Sequence, residues 1–78
     1  MTKLAIISSE DMERILLRLG FARQRQVGSH VLFAHPDGRC TVVPFHKGED
    51  LGRGLIRKIL RDIDISPEEY EKLRQRFI

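Results

Sequence analysis

Cysteine occurs once in the 78 residues, at Cys40, tryptophan is absent, and no apolar run approaches the length of a membrane span. A lone thiol excludes an internal disulfide, so nothing in the chain calls for an oxidising compartment. A bilayer-spanning helix needs roughly 20 apolar residues. The N-terminal run Leu4-Ala5-Ile6-Ile7 is too short even for the core of a signal peptide, and it leads into Ser8-Ser9-Glu10-Asp11 rather than a cleavage site. Repeats, low-complexity tracts and linkers are missing too. The three histidines and the cysteine lack paired metal-ligand spacing. Neither a Ser-His-Asp relation nor a phosphate-binding glycine motif can be read. The expectation is a soluble, cytoplasmic protein with no membrane segment and no metal site.

What remains is one domain over residues 1–78. A chain of this size buries only about 60% of the surface that its unfolded form exposes, and the 41% apolar content suits one thin, two-layer core. Lys and Arg number 14 against 11 Asp and Glu, a net charge of +3. Residues 1–27 carry five basic and three acidic groups, residues 28–63 six and four, and residues 64–78 three and four. The excess therefore lies before the last segment. A domain that touches phosphate with one face shows this pattern, and so does an ordinary solvated surface.

Local signals divide the chain into six elements. Ser8 or Ser9 caps a first helix, with Ser8-x-x-Asp11 as a capping box and Ile7 and Met12 as a hydrophobic staple. Met12, Ile15, Leu16 and Leu19 form its apolar stripe, and Gly20-Phe21 closes it. Ala22 to Val27 reads as a polar edge strand in which Arg23 and Arg25 alternate with Gln24 and Gln26. Gly28-Ser29 breaks it, and His30 to His35 is a second strand. Pro36-Asp37-Gly38-Arg39 turns the chain into a third strand, Cys40 to Phe45. From Arg53 to Ile63 a helix puts Leu55, Ile56, Ile59, Leu60 and Ile63 on one side and Arg53, Arg57, Lys58 and Arg61 on the other. Ser66-Pro67-Glu68-Glu69 then starts a last helix, with Tyr70, Leu73 and Phe77 along its apolar edge. The predicted fold is α+β: α-β-β-β-α plus a short C-terminal helix, with a three-stranded antiparallel sheet covered on one face. That is also the order of the double-stranded-RNA-binding fold.

Three features could carry chemistry. His30 follows Gly28-Ser29 at the mouth of a strand, where glycine permits close backbone approach and serine offers a hydroxyl to a phosphate oxygen. Imidazole exchanges protons near neutrality, and RNA brings its own nucleophile, the 2′-hydroxyl. A lone histidine in such a place is more often a structural or merely exposed residue. His46 neighbours His30 if the strands pair as read, and is a candidate second acid/base or phosphate contact; His35, before the turn, reads as a surface residue. The basic side of the helix from Arg53 attracts any polyanion, an RNA backbone or an acidic protein partner, or is simply solvated. The residues alone do not separate these readings.

From Ile7 to Glu69 the chain resembles the HicA family of mRNA interferase toxins. The resemblance rests on the ordered run Leu19-Gly20-Phe21, Gly28-Ser29-His30, His35-Pro36-Asp37-Gly38, Val43-Pro44-Phe45-His46, Leu51-Gly52-Arg53-Gly54 through Arg61, and Ile65-Ser66-Pro67-Glu68-Glu69. It implies a double-stranded-RNA-binding-like fold and cleavage of single-stranded mRNA without a cofactor. It also implies an antitoxin of the HicB type that covers the active site. The family's catalytic histidine falls on His30, preceded by Gly28 and Ser29. Arg25, Arg57, Lys58 and Arg61 are the expected phosphate contacts. The stretch Lys47-Gly48-Glu49-Asp50 departs from the many members that carry a lysine nearer Leu51, so Lys47 receives no role. Residues 70–78 extend past the resemblance, as a further contact for the antitoxin. A non-catalytic RNA-binding module of the same fold is the alternative.

Overall fold

Alternation of side chains in the two better-buried strands decides how the layers stack. The computed structural model describes residues 3–78. Its elements are α1 (Ser9–Arg18), β1 (Ala22–Val27), β2 (His30–Ala34), β3 (Cys40–Pro44), α2 (Arg53–Asp62) and α3 (Pro67–Phe77). The sheet has three strands in the order β1-β2-β3, all antiparallel. Val31 and Phe33 of β2 and Thr41 and Val43 of β3 are buried. Successive strand residues point to opposite faces, so these four share the face on which α1 and α2 pack against β3. Among the described residues no helix lies over the opposite face. The expected α+β architecture, with its extra C-terminal helix, is the observed one.

Both ends of α1 and the end of α2 have identifiable causes. Ser8 caps α1 by accepting from the Asp11 N–H at 3.1 Å, while Ile7 and Met12 meet in the core as the staple requires. At its other end the Phe21 N–H donates to the Leu16 carbonyl at 2.9 Å and the Gly20 N–H to Leu17 at 3.1 Å. Gly20, with φ of 96°, supplies the left-handed residue that this double closure needs. The end of α2 repeats the motif without glycine: Ile65 N–H donates to Leu60 at 3.0 Å and Asp64 N–H to Arg61 at 3.2 Å. Asp64 takes the left-handed position with φ of 59°, which short polar side chains tolerate better than others. β2 and β3 each stop one residue short of the expected limit. His35 has left the ladder for the turn, its N–H donating to the Arg39 carbonyl at 2.9 Å, and Phe45 starts the exit from β3.

α3 starts as its serine and proline predict, Ser66 accepting from the Glu69 N–H at 3.1 Å. Its first turn is part of the core rather than an appendage. Tyr70 is fully buried, and its hydroxyl donates to the Ala5 carbonyl at 2.6 Å, joining the last helix to the first described segment. Burial pushes its pKa up from the ordinary 10.0 to about 12, an effect that the nearby Arg74 partly offsets.

An unfolded tyrosine ionises near 10.0 whereas the folded one holds its proton to about 12. Stability from this group is therefore complete below pH 10 and is lost as the pH rises towards 12. Tyr70→Phe removes that alkaline slope, and at neutral pH it costs about 1–3 kcal/mol because the Ala5 carbonyl loses its donor. Denaturant midpoints of the two proteins, followed from neutral pH to about 12, check both effects.

Candidate active site on the uncovered sheet face

The helix-free face is built by the side chains that alternation sends away from the core. Cross-strand partners share a face, and the register pairs Val27 with His30, Arg25 with Leu32, Leu32 with Val42 and His30 with Pro44. Arg25, Val27, His30, Leu32 and Val42 accordingly line one open hollow. Its floor is aliphatic, and Val27 is 60% exposed. Val27 therefore presents an aliphatic surface beside the His30 imidazole.

Arg25 reaches this face through a bulge. Strict alternation would put Arg23 and Arg25 on the same side, yet Arg23 pairs with Phe33 and Arg25 with Leu32, with Gln24 as the extra residue between them. Arg23 stays on the helix side, donating from Nη2 to Glu13 at 2.8 Å and from Nε to the other carboxylate oxygen. Its guanidinium lies 5.0 Å from the Phe45 ring centre. That guanidinium holds the Glu13 carboxyl below its usual range. Arg25, one bulge later, is left on the open side with no ion pair among the described residues.

His30 owes its place to the turn before it. Val27 and His30 pair across Gly28-Ser29 alone, and so tight a hairpin needs positive φ in its centre. Gly28 supplies it at 58°, with open space where a Cβ would stand. The Phe45 N–H then donates to the Ser29 carbonyl at 2.7 Å, extending the β2–β3 ladder past His30 and delivering the next residue, His46, to its side. The two imidazole centres are 6.4 Å apart and their planes meet at 88°. Both rings are exposed. The pair can offer one group that accepts a proton and another that donates one, on the two sides of a bond laid across this edge.

One fastening of this edge was not anticipated from the sequence. Ser8 and Ser9 both looked like caps, but only Ser8 caps α1. Ser9, 2% exposed, donates from Oγ to the Pro44 carbonyl at 2.7 Å. It thereby ties the start of α1 to the strand end from which His46 departs. Beyond His46, the Leu51 N–H donates to the Ile7 carbonyl at 2.9 Å, which anchors the far end of the same loop.

The other predicted residues lie elsewhere. Arg57 and Arg61 line a separate hollow with Leu4, Leu60, Ile65 and Pro67, in the helical layer on the covered side of the sheet. Lys58 is drawn to Asp62 at 3.0 Å, and that same carboxylate oxygen accepts from the Thr41 hydroxyl at 3.0 Å. The structure thus places Arg25 in the hollow with His30, puts Gly28 and Ser29 in the turn before it, and sets the His46 ring beside that of His30. His46 itself lines a neighbouring hollow with Ser9, Pro44, Asp50 and Leu51. The α2 cations are not brought to this group. A helical wheel separates polar from apolar sides and says nothing of which layer the polar side then faces. His35, expected at the surface, is half-buried. Its Nδ1 accepts from the Asp37 N–H at 3.1 Å, and its ring lies 5.1 Å from that of Phe21. Among the described residues no three His, Cys, Asp or Glu side chains are grouped to hold a metal ion, and no helix is long and apolar enough to cross a membrane.

A family model described as the HicA toxin of bacterial toxin–antitoxin systems matches residues 9–65, from the first residue of α1 to the close of α2. No curated protein matches the chain.

Ser9→Ala leaves the Pro44 carbonyl without its donor and lowers stability by about 1–3 kcal/mol. It also frees the His46 edge, so the His46 ring signals broaden in NMR spectra. Ser8→Ala costs about 1 kcal/mol as a lost cap and leaves those signals in place, which separates the two serines.

Proposed function

This chain belongs to the HicA toxin family of bacterial toxin–antitoxin systems, and from there we propose that it is an endoribonuclease that cuts single-stranded mRNA on the uncovered sheet face. As a toxin of such a system it has a cognate antitoxin as partner. The observation that carries the nuclease reading is the pair of exposed imidazoles 6.4 Å apart at the rim of that face, with Arg25 free in the same hollow as His30.

The reaction needs nothing that these side chains and the RNA do not supply. His30, neutral, takes the proton of a ribose 2′-hydroxyl, and the freed oxygen attacks the adjacent phosphorus. The bond from phosphorus to the 5′-oxygen breaks as His46, protonated, gives that oxygen its proton. The products are a 2′,3′-cyclic phosphate and a 5′-hydroxyl end. Exchanging the two roles returns both rings to their starting states when water opens the cyclic ester. Gly28 lets the strand come close to the backbone, the Ser29 hydroxyl donates to a phosphate oxygen, and Arg25 offsets the negative charge next to the reacting group. Val27, Leu32 and Val42 give the flanking bases an apolar surface. An antitoxin of the HicB type silences the enzyme by covering this same face.

A positioned acid or base contributes typically 10²–10⁴-fold, so His30→Ala slows cleavage by about that factor with stability changed by no more than about 0.5 kcal/mol, as for an exposed residue. His46→Ala also slows it, and wild-type fragments carry 5′-hydroxyl ends and a cyclic phosphate that opens to a 3′-phosphate. Parental cleavage by His30→Ala rejects the assignment. Highly purified protein that binds RNA with steep salt dependence but never cuts it establishes the non-catalytic RNA-binding module instead.

A further inference from the structure

The hollow between α2 and the start of α3 has a composition unlike that of the sheet face. Its floor is Leu4, Leu60, Ile65 and Pro67, its volume is about 260 Å³, and Arg57 and Arg61 stand over it. Those two cations are one helical turn apart, a spacing at which like charges repel, and neither makes an ion pair among the described residues. Their neighbours on α2 are occupied. The Arg53 Nε donates to the Leu4 carbonyl at 2.9 Å, and Lys58 is held by Asp62 at 3.0 Å. The α2 surface therefore offers two free positive charges beside an apolar floor, not a continuous row of cations.

That combination discriminates between polyanions. An RNA backbone gains most from a continuous line of cations, and α2 offers only two, with Arg53 and Lys58 engaged within the domain. An acidic polypeptide can satisfy both features at once. We propose that this hollow docks an acidic, amphipathic segment of a protein partner, with an apolar side chain on Leu60 and Ile65 and carboxylates on Arg57 and Arg61. Guanidinium forks suit carboxylates in bidentate geometry, and two of them at helical spacing match two acidic residues flanking an apolar one. The hollow shares no residue with the one that holds His30. A partner gripping here leaves the sheet face uncovered, so attachment and masking of the candidate active site become separable events. A toxin with a cognate antitoxin has a partner for which such a second grip is useful.

The test is a titration of the ¹⁵N-labelled 78-residue chain with four probes. They are a capped peptide Glu-Glu-Leu-Leu-Glu-Glu, its Gln-for-Glu form, its Ser-for-Leu form, and a short oligouridylate. The acidic leucine peptide is expected to shift the amides of Leu60, Arg61 and Ile65. Both altered peptides should bind at least tenfold more weakly. The double variant Arg57→Gln, Arg61→Gln should lose the acidic peptide by a similar factor while its spectrum reports an intact fold. The proposal is overturned if the oligouridylate shifts these amides and the acidic peptide does not, if the acidic and Gln peptides bind equally, or if no peptide shifts them at all.

Discussion

The register between β2 and β3 is the constraint on which the remaining structure depends. His30 pairs with Pro44 and Val31 with Val43, and one more backbone bond, Phe45 N–H to the Ser29 carbonyl, closes the ladder beyond them. A slip by one residue would send Val31 and Phe33 into water and turn His30 and Leu32 towards the helices. Each large apolar side chain so exposed costs about 1.5–3 kcal/mol. The hydrophobic core therefore holds the register, and the register holds the two imidazoles side by side. Stability and the candidate chemistry rest on the same register.

The layers then divide the molecule's surface into two fields. On one side α1 and α2 cover the sheet and expose their own polar faces, with Arg57 and Arg61 over a small apolar hollow. On the other, the sheet presents a rim of histidines, an aliphatic floor and Arg25, which has no ion pair among the described residues. The bulge at Gln24 contributes to both. It lets a single strand send Arg23 inward to Glu13, where it fastens β1 to α1, and Arg25 outward to the open face. The distant serine Ser9 completes the arrangement by pinning the end of β3 to the first helix.

Elements with strong local signals were legible in the sequence. The cap at Ser8, the glycine closure at Gly20-Phe21, the Ser66-Pro67 start and the amphipathic period of α2 each act within a few residues, and each appears in the structure as read. That His46 neighbours His30 followed from strand order alone. What escaped depends on contacts distant in sequence or on a single inserted residue. Ser9 looked like a cap because its partner, Pro44, lies 35 residues away. Alternating Arg and Gln concealed the bulge, since the pattern looks regular until β2 is laid beside it. The side to which α2 turns its cations is a property of packing, and periodicity does not encode it. Asp64 in a left-handed closure carries no signal of the kind that glycine gives.

The central claim is that RNA lies across the uncovered face, against the histidine rim. Amide and side-chain shift mapping with a 2′-O-methyl oligoribonucleotide, which lacks the attacking hydroxyl and so persists uncut, tests it most directly. The account predicts shifts at Arg25, Val27, His30, Leu32, Val42 and His46, with α2 silent. Shifts confined to α2 and α3, with the sheet residues unmoved, would contradict it.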